Sequence, residues 1–177
     1  MSRRDDVLKT ALELLDEVGI DDLTVRRLAD RLGVQPGALY RHFPSKRALL
    51  DAMVKQIVST ASADPPPGGD WADHLRAMAS SARDAMLAYR DGARLLATFH
   101  DPGPAAVAAF HRIVGLLHAA GVPSGTALVA VDTVFSYVNG FTIEEQARRN
   151  EVPLDRRNQD FQAGLGLIIA GIRAQLT

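Results

Sequence analysis

The chain has 177 residues, 47% of them hydrophobic and 23% charged, and a formal net charge of −1. That mixture suits an ordinary globular protein with one sizeable core or two small ones. The absence of cysteine excludes disulfides and thiolate metal sites. No apolar run approaches the roughly 20 residues of a membrane span and "MSRRDD" leads into an acidic amphipathic segment rather than a signal peptide, so a cytoplasmic location and no membrane partner are expected.

The pattern is helical almost throughout. Val7, Ala11, Leu14, Leu15 and Val18 share one face of a first helix, Arg3 to Val18, which Gly19 ends. Thr24 suits the N-cap of a short second helix, Val25 to Leu32, closed by Gly33. Pro36 suits the first position of a third helix carrying Ala38, Leu39, Tyr40 and Arg41, and Pro44 stops it. Ser45 caps a long fourth helix, from Lys46 to about Ala61. "SADPPPGGD", Ser62 to Asp70, is a linker, because its prolines and glycines cannot continue a helix. Asp70 caps a fifth helix with the stripe Trp71, Leu75, Met78, Ala82, Met86 and Tyr89. A short helix around Ala93 to Phe99 breaks at "DPGP"; another runs from Ala105 to Ala120 and ends at Gly121. "VPSG" is a turn with Ser124 as a cap, followed by helices from about Thr126 to Arg148 and Asn158 to Leu176. No stretch alternates with period two and no repeat is visible, so the expected fold is all-α: an N-terminal three-helix helix-turn-helix unit and a C-terminal helical bundle.

The charge is unevenly placed. Between Thr24 and Leu50, Arg26, Arg27, Arg31, Arg41, Lys46 and Arg47 face Asp30 alone, a local charge of +5 that leaves −6 for the rest. A basic patch on an acidic body is the footprint of a DNA-binding module. The second and third helices, joined by "LGV", fit a helix-turn-helix held by Leu28, Ala29, Leu32, Val34 and Leu39. Gln35, Gly37, Ala38, Tyr40, Arg41 and His42 then project toward a major groove. Arg26 and Arg27 lie where the second helix crosses the DNA backbone, and Lys46 reaches a phosphate beside the free N–H groups of the fourth helix.

"LTVRRLADRLGVQPGALYRHFPSKRALLDAMV" closely resembles the DNA-binding domain of the TetR (tetracycline-repressor) family. The matching features are Thr24 opening the second helix, Ala29, the Leu32-Gly33 turn, Tyr40-Arg41-His42-Phe43, and Lys46 to Leu49. The resemblance implies a homodimer on a palindromic double-stranded DNA operator, usually a repressor. It further implies a C-terminal helical domain that takes an unidentified small-molecule effector and releases the operator when occupied. Thr24 joins the DNA-binding residues on this basis. The expected units are a helix-turn-helix domain, 1–46, and a ligand-binding and dimerisation domain, 47–177, connected by the fourth helix (about 46–61) and the loop 62–70.

"YRDGARLL", "FSYVNGFTIEEQ" and "FQAGLGLIIAGIRAQL" are similar to segments of the tetracycline repressor subgroup. By register, the metal-ligating histidine of that subgroup falls at Leu96, its Thr-Arg pair at Phe99-His100, and two drug-contacting positions at Met78 and Ala82; of its carboxylates a glutamate remains at Glu144. The resemblance therefore implies neither a tetracycline nor a metal, and no cofactor is expected. A pocket between the fifth to eighth helices would be lined by Met78, Ala82, Met86, Leu96, Phe99, Phe110, Val114, Val134, Phe135 and Val138. His100 and Asn139 would supply polar contacts; Met, Phe and Ala together suit an apolar, adaptable cavity. Phe161, Leu165, Ile168, Ile169, Ile172 and Leu176 are expected to face a partner copy, with Gly164, Gly166, Ala170 and Gly171 allowing close approach. No enzyme is expected: the five histidines form no metal-binding pattern, and His111 and His118, seven apart, make at best half a site. The competing reading is an architectural DNA-binding dimer without an effector.

Overall fold

In the computed structural model, which describes residues 3–61, 68–98, 101, 103–148 and 151–176, the described chain is helical with no strand. Its elements are α1 (Arg3–Val18), α2 (Val25–Leu32), α3 (Pro36–Leu39), α4 (Lys46–Thr60), α5 (Trp71–Leu87), α6 (Gly92–Leu96), α7 (Pro104–Ala119), α8 (Ser124–Ala147) and α9 (Leu154–Arg173). Most of the linker expected at 62–70 falls on residues 62–67, outside the described residues.

Two apolar cores organise these helices. The first joins Val7, Ala11, Leu14 and Leu15 of α1, Leu28 and Ala29 of α2, Leu39 of α3 and Leu49, Met53, Val54 and Ile57 of α4, and it closes over Ala85 and Leu95. The second gathers Trp71, Leu75 and Met86 of α5, Ile113 and Leu117 of α7, Val131, Val134 and Val138 of α8, and Phe161, Leu165, Ile169 and Ile172 of α9. Burying such side chains drives the packing at about 25 cal/mol per Å² of apolar surface. Local chemistry sets the helix ends. Thr24, Ser45 and Asp70 each accept a backbone N–H in the first turn of the helix they cap, and Asp70 and Asp73 form a reciprocal capping box.

Several boundaries differ from those expected. α3 stops at Leu39 rather than including Tyr40 and Arg41, because the N–H groups of His42 and Phe43 both turn back to the Leu39 carbonyl, and Pro44 disfavours helix at the residue before it. Ser124 is the first residue of α8 and not its cap: Pro123 takes that place, and the Ser124 hydroxyl lies 3.3 Å from His118 Nδ1. α9 starts a turn earlier than expected, at Leu154, after Pro153. α6 ends at Leu96; Phe99 and His100 lie outside the described residues. Against expectation, α8 is long and apolar enough to cross a membrane, 24 residues with a mean hydropathy of 1.3, although a third of that window is buried inside the protein.

Gly92 is required for space. A Cβ there would collide with the Met86 carbonyl oxygen, where α6 turns back onto the end of α5. Because a backbone atom blocks the way, Gly92→Ala must push the two helices apart. The expected loss is about 1–3 kcal/mol, read as a lowered thermal midpoint; an unchanged midpoint would show that the contact relaxes freely.

Candidate nucleic-acid interface and effector site

The reading head is built by α2, α3 and the turn between them. Gly33 adopts the left-handed conformation (φ 65°, ψ 31°), its N–H meets the Asp30 carbonyl, and Val34 N–H reaches the Ala29 carbonyl at 3.0 Å. This turn suits glycine because a Cβ is strained at positive φ. Leu28, Ala29 and Leu39 are buried while Leu32 and Val34 are partly so, which sets the angle between the two helices. One outer surface then presents Thr24, Arg26, Arg27, Gln35, Gly37, Tyr40, Arg41 and Lys46 exposed, with Ala38 and His42 half-buried. Tyr40 is one of the exposed large hydrophobic side chains, at 50%.

The cations on this surface are not equivalent. Arg26, Arg41 and Lys46 have no ion-pair partner among the described residues, whereas Arg27 lies 3.1 Å from the Asp22 carboxylate and also donates to the Asp22 carbonyl. Arg31, counted above in the basic patch, is held by a bidentate pair with Glu17 that fastens α2 to α1; this hydrogen bond keeps the Glu17 carboxyl below its ordinary range. Arg4, which sequence spacing did not single out, lies with its guanidinium 4.7 Å from the Phe43 ring centre, at the edge of the head. Its place among "RRDD" gave no periodic signal.

A polar seam joins the head to the second unit. Asp16 accepts the Arg90 N–H at 2.6 Å, and the Arg90 side chain donates to the Glu17 carbonyl. Asp91 accepts the Ile20 N–H at 3.0 Å, and Arg94 pairs through both terminal nitrogens with Asp21, holding that carboxyl below its ordinary range. Asp91 is the non-glycine residue with positive φ among the described residues. From the far side, Gln146 of α8 grips the same turn: its Nε2 donates to the Met86 and Tyr89 carbonyls and its Oε1 accepts the Ala93 N–H. Lys55 of α4 pairs with Asp101, which in turn accepts the Gly103 N–H, and the ammonium lowers the Asp101 pKa. None of these seam contacts was expected from the sequence; partners 46 to 74 positions apart leave no spacing to read.

Of the residues expected to line a pocket, the described apolar ones belong to the second core or pack against it. Met86, Val134 and Val138 are fully packed core, while Met78, Ala82, Leu96, Phe110, Val114 and Phe135 are partly buried against it. Phe110 stacks on Phe135 with ring centres 6.2 Å apart. Asn139 is half-buried, and its Oδ1 is enclosed without a hydrogen-bond partner. Further along α8, Glu145 is buried and accepts Arg83 Nε and Nη2 at 2.7 and 2.6 Å and Arg157 at 3.2 Å, which ties α5, α8 and α9 together.

The face expected to meet a partner needs correction. Phe161, Leu165, Ile169 and Ile172 are at most 5% exposed because they pack into the chain's own second core, with Ile168 and Leu176 partly buried against it. Gly164, too, serves its own chain, lying under the Tyr137 ring. The opposite side of α9 carries Ala163, Leu167, Ala170, Gly171 and Ala174, with Leu167 77% exposed. The outer side of α8 carries Val129 (64% exposed), Thr133, Ser136 and Gly140.

Comparison with known proteins matches this arrangement. Residues 7–53 match the family described as "Bacterial regulatory proteins, tetR family", and residues 64–160 match "Tetracyclin repressor-like, C-terminal domain". The tetracycline repressor protein class C of Escherichia coli is 41% identical over 160 residues, 89% of this chain and 72% of that one. A TetR point variant from Acinetobacter baumannii AYE, solved in complex with minocycline, superposes with a TM-score of 0.88 and 37% identity over 100% of this chain and 99% of that one. Mycobacterium smegmatis BioQ superposes with a TM-score of 0.87 and 35% identity over 98% of this chain and 99% of that one. A BioQ structure with its double-stranded DNA operator gives a TM-score of 0.83 and 34% identity over 97% of this chain and 98% of that one.

Proposed function

The chain belongs to the TetR family of bacterial regulatory proteins and is a ligand-responsive, DNA-binding transcriptional regulator; we propose that it is a cytoplasmic homodimeric repressor, released from a palindromic operator by an apolar small molecule. The observation that carries this reading is the outer surface of α2 and α3. Arg26, Arg41 and Lys46 are exposed there without an ion pair among the described residues, and Tyr40 is exposed on the same head. Thr24, Gln35, Gly37, Ala38 and His42 complete the contact set, with Thr24 giving its hydroxyl proton to a phosphate while its oxygen holds the Arg27 N–H. Arg27 is free to contact DNA once its exposed pair with Asp22 opens, a small cost for a surface ion pair. The relatives solved with a DNA operator and with minocycline support both partners.

The proposed division is a reading unit, 1–46, and an effector and dimer unit, 47–177, with α4 as the link. The effector would lie against Met78, Ala82, Leu96, Phe110, Val114 and Phe135, with Met86, Val134 and Val138 behind them; Phe99, His100 and Asn139 complete the proposed set. Binding there bears on the seam through Gln146 and through Asp101. The effector must prefer the arrangement that does not fit the operator, and DNA then weakens effector binding by the same factor.

The dimer forms through the outer faces of α8 and α9. Val129 and Leu167 are too exposed and apolar to be left to water beside small residues that allow helices to approach. Leu167→Arg together with Val129→Arg is expected to give a folded monomer by sedimentation and to abolish tight operator binding, since a single head retains half the contacts. A double variant that stays dimeric would place the interface elsewhere. The function itself is tested by titrating the protein against the DNA flanking its own gene and against a random-sequence pool. One tightly bound palindrome supports a repressor; no site stronger than random DNA overturns it.

A further inference from the structure

A buried acceptor with no partner is unfavourable, because it gives up its hydrogen bond to water and receives none in return. Asn139 Oδ1 is in this position. Its helix neighbours show where it lies. Phe135, one turn earlier on the same face of α8, stacks on Phe110 of α7. Gln146, two turns later, holds the turn between α5 and α6. Asn139 therefore lies on the face of α8 that carries both the Phe110 contact and the grip on the turn between α5 and α6. By contrast, Thr142 on the adjoining face satisfies its own hydroxyl on the Val138 carbonyl at 2.6 Å.

Building on the effector pocket proposed above, we propose that Asn139 Oδ1 is its polar anchor, so that the effector is an apolar molecule carrying a hydrogen-bond donor, a hydroxyl or an N–H. The apolar walls supply affinity without orientation. This acceptor selects among molecules of equal size, since a site built to pair with a donor leaves its acceptor unpaired when a donor-free analogue binds.

Three aromatic probes of similar size test this on the full-length protein: toluene with neither group, phenol with a donor, and acetophenone with an acceptor only. Methyl signals of labelled methionine report where they bind. Met78 and Met86 belong to the second core and Met53 to the first, so Met53 serves as the internal control. Phenol is expected to bind best, shifting Met78 and Met86 but not Met53. Asn139→Leu is expected to reduce the preference for phenol over toluene about tenfold, the scale of one hydrogen bond, and to raise the unliganded thermal midpoint because the orphaned acceptor is gone. Asn139→Ala, which cannot overpack, should lose the same preference. If all three probes shift the two methionines equally, or acetophenone wins, the pocket stands and the anchor is overturned. If no probe shifts either methionine, the pocket is overturned and the anchor with it.

Discussion

Arg83→Met is expected to lower the thermal midpoint by roughly 10 °C, the consequence of about 3–5 kcal/mol lost when one partner of a buried ion pair is removed. Glu145 has 1% of its side chain exposed and Arg83 has 7%. Two short hydrogen bonds join them, at 2.7 and 2.6 Å, and Arg83 also reaches Asn158 at 2.9 Å and lies 4.8 Å from the centre of the Phe161 ring. Once Arg83 is replaced, the Glu145 carboxylate keeps only Arg157, at 3.2 Å, and stays in a low-dielectric site where Coulomb attraction no longer offsets its lost hydration. Replacing both Arg83 and Glu145 with methionine should recover most of the loss, because a well-packed apolar pair has no charge to desolvate. Thermal unfolding of the three variants checks this. A drop of less than about 2 °C for Arg83→Met would mean that Arg157 alone neutralises the site.

On the opposite end of the molecule, Lys46→Ala should weaken operator binding about a hundredfold, tenfold for each half-site of a dimer at about 1.4 kcal/mol apiece. The slope of log affinity against log salt should flatten by about two, one for each phosphate contact removed. Arg41→Ala should behave similarly if it grips phosphate, and should instead relax sequence preference if it reads a base edge. Tyr40→Ala should lose affinity with no change of slope, since it carries no charge. Arg31→Ala is the control: its guanidinium is already committed to Glu17, so its salt slope should match the unaltered protein. Titrations in a salt series separate these cases, and an Arg31→Ala slope as flat as that of Lys46→Ala would show that the pair with Glu17 opens on DNA.

What could be read from the sequence follows the range of each force. Thr24, Gly33, Pro36, Pro44 and Ser45 act on backbone groups within a few residues, so the reading head was legible almost to its boundaries. The stripe of Phe161, Leu165, Ile169 and Ile172 was also legible as apolar. Its destination was not, because periodicity shows that a face must be covered and not whether the cover is the same chain or another. α9 carries a buried face and an exposed one, and the side chains in its own core are the larger ones. Leu167 stands alone among alanines and glycines on the outer face, too sparse a pattern to compete. The apolar character of α8 escaped notice for a related reason: interspersed Thr, Ser and Gly hide its hydropathy. Arg90, Asp91 and Arg94 find Asp16, Ile20 and Asp21 only after the chain has folded.

The seam between α1 and the α5–α6 turn is made chiefly of exposed charged groups, with Asp21 and Arg94 both well hydrated. Dissolved ions screen such pairs over about 8 Å at physiological ionic strength, whereas the apolar contacts of Ala85 and Leu95 with the head's core are indifferent to them. Salt therefore acts on this protein twice. It weakens the grip on the operator, and separately it slackens the polar joint between the reading head and the unit behind it. A cell under osmotic stress would hold a regulator that is less firmly seated and whose head is less tightly tied to the rest of the chain.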